Sequence, residues 1–386
     1  MGTLKIRNYN FVLDLFEEGR VPPIYCAVQN ERTPQQDSNI IANKGKFDFS
    51  GIIEVKCIPE FLTPVTHQID QQIKMRNIQR FNGYYIDLTG YTSVDDYMRT
   101  ELGSKRKSLK RQLRRLESCF DINYKVYFGE IKKDNYEFLF GKMQEFINTR
   151  FEQKGVPFDP TIDLDAIRKR TFSMILEKKA SLHVIYNGTT PINVGIAYHF
   201  QDVLNSAIGS YDINYSKFGL GNLEIIKHLE WCLENGYQIY DLMWGDLPYK
   251  HTWCNGVFRY NHQIFYNRKS IFHRLLVPIR VYLYGLKDYY TARKNRAKGR
   301  KKLGTTNTKQ HIEILQINKD HIQGSLLKET NIHHDSNHWL IPLVYDFQYL
   351  NVQHSNDVAV YELTNKTGNY VVIGKNDAIS ISRNKL

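Results

Sequence analysis

Residues 181–212 read SLHVIYNGTTPINVGIAYHFQDVLNSAIGSYD. Three apolar runs are separated by Asn187-Gly188 and by Gln201-Asp202, pairs that favour tight turns between paired strands. INYSKFGLGN follows as a Gly-bearing loop, LEIIKHLEWCLENG as an amphipathic helix closed by Gly236, and YQIYDLMW as a further strand. Three strands, a Gly loop, a helix, a strand and then a polar loop leave little freedom. The strands must share one mixed sheet, and the helix at 222–234 must bury its apolar stripe against it.

On the N-terminal side of this unit, Gly51–Cys57 and Tyr84–Leu88 read as short strands, with a polar stretch around residues 29–45. TSVDDYMRTELGSKRKSLKRQLRRLE reads as helix. Thr92 or Ser93 can cap it, Asp95 and Asp96 suit its first turn, and Leu109, Leu113 and Leu116 recur at helical spacing. Gly103-Ser104 is expected to divide it in two. INYKVYF alternates as a strand, and NYEFLFGKMQEFINTRF and DLDAIRKRTFSMILEKKA read as amphipathic helices. On the C-terminal side, HIEILQI, VAVYEL and NYVVIG alternate and predict a small β-rich appendage after residue 310.

At 386 residues two or three domains are expected, and 42% hydrophobic content can furnish their cores. The five cysteines, Cys26, Cys57, Cys119, Cys232 and Cys254, are scattered and form no CxxC pair. That argues against a disulfide framework or a zinc knuckle and for a reducing compartment. MGTLKIRNYNFVLDLFEEG has no apolar signal-peptide core, so a cytoplasmic protein is expected.

The net charge of +12 is concentrated in two places. KRKSLKRQLRR (105–115) and RKNRAKGRKK (293–302) each carry seven cations and no acid, so the remainder sums to 12 − 14 = −2. The bland reading of both is a solvated helix face. The first lacks the aromatics that single-stranded nucleic acid would stack on. The second follows IFHRLLVPIRVYLYGLKDYY, whose Arg274, Arg280, Lys287 and Pro278 exclude a membrane span. Apolar bulk beside a basic run suits reversible docking on an anionic inner membrane face. The competing reading is an ordinary packed helix followed by a solvated linker.

A β-meander, a Gly loop at a helix start and a following strand are what a pantetheine-pyrophosphate site requires. Glycine lets the backbone approach phosphate oxygens, and the helix start offers N–H donors. FGLGN supplies Gly219, Gly221 and Asn222 for that role, although a plain turn into a helix reads the same way.

GSYDINYSKFGLGN and YDLMWGDLPYKHTW, with KRKSLKRQLRRLE before them, resemble the CelD-like branch of the GNAT acyltransferase superfamily over roughly residues 90–270. That branch is related to Fem-type peptidyltransferases, built from two GNAT-like modules in tandem. The resemblance implies a mixed α/β fold: a divergent module at 1–140, a recognisable one at 141–270, an apolar and basic helical segment with linker at 271–309, and a β-rich extension at 310–386. It implies an N-acyltransferase using acyl-CoA, acetyl-CoA in the simplest case, with no metal. The acceptor would be an amino group on an amino sugar or a cell-envelope or exopolysaccharide precursor, small or lipid-linked. Two alternatives stand beside it: a Fem-type transferase drawing on aminoacyl-tRNA, and a non-catalytic membrane- or nucleic-acid-binding protein on the same fold. The superfamily's coenzyme A loop begins with Gln or Arg three residues before its first Gly; here that place holds Ser216.

Acyl transfer to an ammonium needs a base, and the leaving thiolate benefits from an acid. Asp246 is the candidate base, Tyr249 the acid, and Lys250 the charge stabiliser of an anionic donor or substrate. Tyr211, Asp212 and Asp241 are candidates for the substrate side. Asp246 can equally be a turn-forming residue. His334 and His338, with Asp335 between them, sit in loop-like composition and are not expected to hold a metal. Cys254, three residues from His251, reads as an incidental thiol. His183, His199 and His228 read as core-edge or surface residues, and Trp231 and Trp244 as packing residues.

Overall fold

The computed structural model describes residues 5–30, 47–160, 162–300, 311–318, 327–364 and 368–384. Five strands come first: β1 (Ile6–Asn10), β2 (Tyr25–Asn30), β3 (Ile52–Pro59), β4 (Leu62–Thr66) and β5 (Ile73–Asp87). Helices α1 (Val94–Glu101) and α2 (Lys105–Cys119) follow, then β6 (Ile122–Tyr127), α3 (Lys133–Gln153) and α4 (Leu164–Leu176). Ser93 Oγ accepts the Asp96 N–H at 3.1 Å, and Gly103, at φ +52°, separates α1 from α2, so cap and break fall where their residue types direct.

The meander is β7 (Ala180–Asn187), β8 (Thr190–Phe200) and β9 (Val203–Tyr211). It leads through a short 3-10 turn (Ile213–Phe218) into α5 (Leu220–Glu234) and β10 (Ile239–Trp244). The polar loop expected after β10 is partly helical: Pro248 opens the short α6 (Pro248–Trp253), where its missing N–H costs nothing. β11 (Gly256–Asn267) and the long α7 (Ile271–Arg300) complete this part of the chain.

Nine strands form one sheet in the order β1-β3-β11-β5-β10-β9-β8-β7-β6. Among the described residues, only β1–β3 and β9–β10 are parallel pairs. The sheet crosses the boundary expected at 140/141, which falls inside α3. β6 lies before that boundary and pairs with β7 after it, and β5 pairs with both β10 and β11. Helices α3 and α4 pack on one face through Tyr136, Leu139, Phe140, Met143 and Ile175. On the other face, α1 and α5 bring Tyr97, Ile225, Ile226 and Leu229 against Ile86, Leu204, Tyr240 and Leu242.

After α7 come β12 (His311–Ile317), β13 (Leu327–Glu329), α8 (Ile341–Asn351), β14 (Ala359–Leu363), β15 (Asn369–Ile373) and β16 (Ala378–Asn384). The strands form the expected small antiparallel sheet, in the order β12-β16-β15-β14-β13. Helix α8 was not foreseen. Its Ile341 and Tyr345 pack with Phe120, Tyr215 and Phe218, and so fasten the extension to the α2–α5 side of the main sheet. Most of the polar stretch at 29–45, the linker at 304–310 and the end of the basic run at 301–302 lie outside the described residues.

Candidate active site

Strands β9 and β10 run parallel and pair only over Val203↔Ile239, Leu204↔Tyr240 and Asn205↔Asp241. Beyond that point the ladder ends and β10 bulges between Asp241 and Trp244, with Met243 in the left-handed region at φ +61°. A cavity of about 370 Å³ occupies the opening. Ser206, Gly209 and Tyr211 of β9, Tyr240 and Leu242 of β10, and the first turn of α5 line it, together with Gln112, Arg150 and Tyr249. An open edge between parallel strands, beside a helix N-terminus, is where mixed sheets accommodate ligands.

Four glycines shape this place. Gly219 precedes α5 at φ +74°, a conformation costly for other residues, and a Cβ there would lie 2.6 Å from Gln112 Oε1. Gly221 meets the Tyr211 ring, which itself lies 5.2 Å below the Arg150 guanidinium. Gly195 and Gly209 face each other across β8 and β9. A Cβ on either would come within 2.6 Å and 2.5 Å, respectively, of Glu224 Oε1, so the glycine pair makes the space this carboxylate fills.

Glu224, on α5, is the residue that sequence reasoning missed. Burial raises its pKa from 4.5 to about 7; the Asn193 amide and the Arg150 charge pull the other way without overcoming it. Such a carboxyl can take and release a proton near neutrality. Tyr249 keeps 41% of its accessible surface, yet its hydroxyl is desolvated: burial first, then the Glu224 charge, pushes it up to about 12. A glutamate at the fifth position of an amphipathic helix carries no local signal. The available clue was Gly195 and Gly209, two glycines inside apolar strands, which imply close approach by another group.

Of the sequence-predicted residues, Gly219, Gly221, Asn222, Tyr211 and Tyr249 meet at the cavity. Asn222 also accepts a hydrogen bond from Trp253 Nε1 at 3.0 Å, which ties α6 to the start of α5. Asp246 lies outside the cavity lining. Its side chain is 64% exposed and pairs with His251, and Tyr84 donates to it at 3.1 Å. The His251 hydrogen bond lowers its pKa below the ordinary carboxylate value, the wrong direction for a base. Asp212 caps the 3-10 turn by accepting the Asn214 N–H at 3.0 Å.

Asp241 and Lys250 are internal. Asp241 accepts from Met243 N–H at 2.7 Å and Asn205 Nδ2 at 2.9 Å, while burial raises its pKa to about 6. Lys250 Nζ donates to the Trp244 carbonyl at 2.5 Å, and burial lowers its pKa to about 8 against the pull of Asp241. The pair braces the β10 bulge: the acid takes its N–H and the ammonium takes its carbonyl.

The three histidines are more enclosed than expected and are held neutral. Burial lowers His199 and His228 to about 3 and His183 well below its ordinary value. Ser181 Oγ bridges His183 Nε2 at 2.9 Å and His199 Nε2 at 2.8 Å, and His228 Nδ1 lies 2.7 Å from the Tyr240 hydroxyl on the cavity wall. Burial pushes the Cys254 thiol up to about 12, which removes it as a nucleophile. Among the described residues no group of three His, Cys, Asp or Glu side chains is placed to hold a metal.

A desolvated carboxylate and a tyrosine thus line one glycine-opened cavity where the parallel strands part. Residues 103–251, from the start of α2 into α6, match the family described as the acetyltransferase (GNAT) domain. Over these residues the chain is similar to a GNAT-type acetyltransferase domain, and that likeness supports an acyltransferase. None of the curated proteins matches the chain. Among solved structures it is similar to FemX, with 10% identity, 58% of this chain and 74% of that one covered, and a TM-score of 0.40. A conserved protein of unknown function from Bacteroides thetaiotaomicron VPI-5482 gives 8% identity, 56% and 70% coverage and a TM-score of 0.37. The C-terminal DUF2156 domain of a putative lysylphosphatidylglycerol synthetase from Agrobacterium fabrum gives 11%, 55% and 68%, and 0.35. All three are remote likenesses.

Proposed function

We propose that the chain transfers the acyl group of an acyl-CoA thioester to a primary amine in the cavity between β9 and β10, with Glu224 as general base and Tyr249 as general acid. The observation that carries this reading is the Glu224 carboxyl, held at about 7 inside a cavity that Tyr249 also lines. The ammonium first gives one proton to solvent, and the amine nitrogen then attacks the thioester carbonyl while Glu224 takes its second proton. As the tetrahedral intermediate collapses, the C–S bond breaks and the leaving thiolate receives the Tyr249 proton. Arg150 and the N-terminus of α5 supply positive potential for the anionic part of the donor.

At about 370 Å³ the cavity suits the reacting ends of the two substrates better than a whole coenzyme. Gln112, Ser206, Ser216 and Asn222 offer hydrogen bonds to a hydroxyl-bearing acceptor, which favours an amino sugar or a related cell-envelope precursor. The test is a screen of acyl-CoA thioesters against amines, read by mass spectrometry, with Glu224→Gln and Asp246→Asn run beside the wild type. Glu224→Gln is expected to lower kcat by roughly 10²-fold or more, and wild-type kcat to rise through pH ~7. Loss of turnover in Asp246→Asn with retention in Glu224→Gln would reverse the assignment of the base. Transfer from aminoacyl-tRNA with none from any acyl-CoA would overturn the donor.

A further inference from the structure

Helix α7 presents its apolar stripe to solvent. Ile271, Phe272, Leu275, Ile279, Tyr282 and Leu283 are all exposed, Ile271 by 73% and Tyr282 by 67%. Tyr289 and Tyr290 extend the line to the next turns. At about 100° per residue these eight positions fall within an arc of about 120°, which runs for roughly 30 Å along the helix. In a helix packed on a globular protein that arc faces the core. Here the opposite side is the one held down. Val277 is buried against Ile52 and Ile264, Arg280 pairs with Glu54, Tyr284 donates to Glu54 at 2.6 Å, and Asp288 accepts from Arg80 Nη2 at 2.7 Å.

We infer that this face of α7 is a docking surface for an anionic lipid leaflet, with the helix lying in the plane of the interface. Charge chooses between the two ways of covering such a stripe. Within α7 the only acid is Asp288, and Arg80 already engages it. Arg274 and Lys287 flank the stripe on either side, and seven cations lie between Arg293 and Lys302. Pairing with a second copy, parallel or antiparallel, would set cations against cations with no acid free to answer them. A leaflet of anionic headgroups matches both features at once: the apolar stripe enters the acyl boundary and the flanking cations stay at headgroup level. Among the described residues no helix is long and apolar enough to cross a membrane, so the contact is peripheral. The inference is independent of the chemistry proposed for the cavity.

The test is co-sedimentation of the full chain with phosphatidylcholine vesicles, with and without phosphatidylglycerol, at low and high salt. The wild type is expected to bind the anionic vesicles and to be released as salt screens the headgroups. Leu275→Glu/Leu283→Glu should weaken binding by roughly tenfold or more, with thermal unfolding unchanged because both side chains are already in water. Absence of binding to anionic vesicles at low salt would overturn the inference, as would equal binding by the double variant. A wild-type dimer in sedimentation velocity that the same substitutions convert to monomer would also overturn it and assign the stripe to a second copy.

Discussion

A carboxyl with a raised pKa leaves a signature on stability that can be measured without knowing any substrate. Burial takes Glu224 from 4.5 to about 7, so the folded chain binds this proton more tightly than the unfolded chain does. Below pH 4.5 both states are protonated and the group is neutral to folding. As pH rises through 4.5 the unfolded state ionises first, and stability is lost progressively until the folded group also ionises near 7. At about 1.36 kcal/mol per pH unit the loss approaches roughly 3 kcal/mol, and solvent screening through the open side of the cavity reduces it to about 1–2 kcal/mol. Glu224→Gln keeps the shape and has no proton to lose. Its Tm is therefore expected to stay near that of the wild type at pH 5 and to exceed it by a few degrees at pH 8.5. The comparison is between two proteins at each pH, so the buried histidines and Asp241, which also titrate, cancel because both proteins carry them. Differential scanning calorimetry at the two pH values decides the matter. A Tm difference that does not grow with pH means that Glu224 is not held protonated, and the proposed base loses its physical ground.

Two substitutions separate chemistry from support. Gly209→Ala places a methyl group 2.5 Å from Glu224 Oε1, so the carboxylate must move; kcat in the acyl-transfer assay should fall by about 10- to 100-fold with little change in Tm, and unchanged kcat would show that its position is not critical. Lys250→Met leaves the Trp244 carbonyl and Asp241 without the ammonium, and calorimetry should register a loss of about 2–4 kcal/mol; wild-type stability would remove Lys250 from the bulge brace.

The fold was legible wherever one short segment carried its own pattern. The β7–β9 turns, the Ser93 cap, the Gly103 break and the Gly236 stop each follow from residue types within a few positions. What escaped reading depended on contacts between distant segments. β11 pairs with β3 and β5, and α8 earned its place only by packing on Phe120 and Phe218. The site divides in the same way. Gly219, Gly221 and Tyr211 were visible because a loop into a helix has a local signature. Glu224 was hidden because its meaning comes from two glycines on strands it does not adjoin in sequence.

The crowded step after β10 shows why local composition misleads. An acid, a phenol and an amine within five residues look like one catalytic set, yet they answer three different demands. Asp246 pairs with His251 in solvent, and Lys250 satisfies the carbonyl groups that a bulged strand end cannot pair with a neighbour. Only Tyr249 reaches the cavity. Lys250 and Trp253 are the reason it does so. The ammonium fixes α6 to the bulge at Met243 and Trp244, and the indole fixes the other end of that short helix to Asn222 at the start of α5. A six-residue helix has too few hydrogen bonds to stand alone, so these two anchors set the direction in which Tyr249 points. The residues around the tyrosine hold it where Glu224, on an element far away in sequence, also faces the cavity.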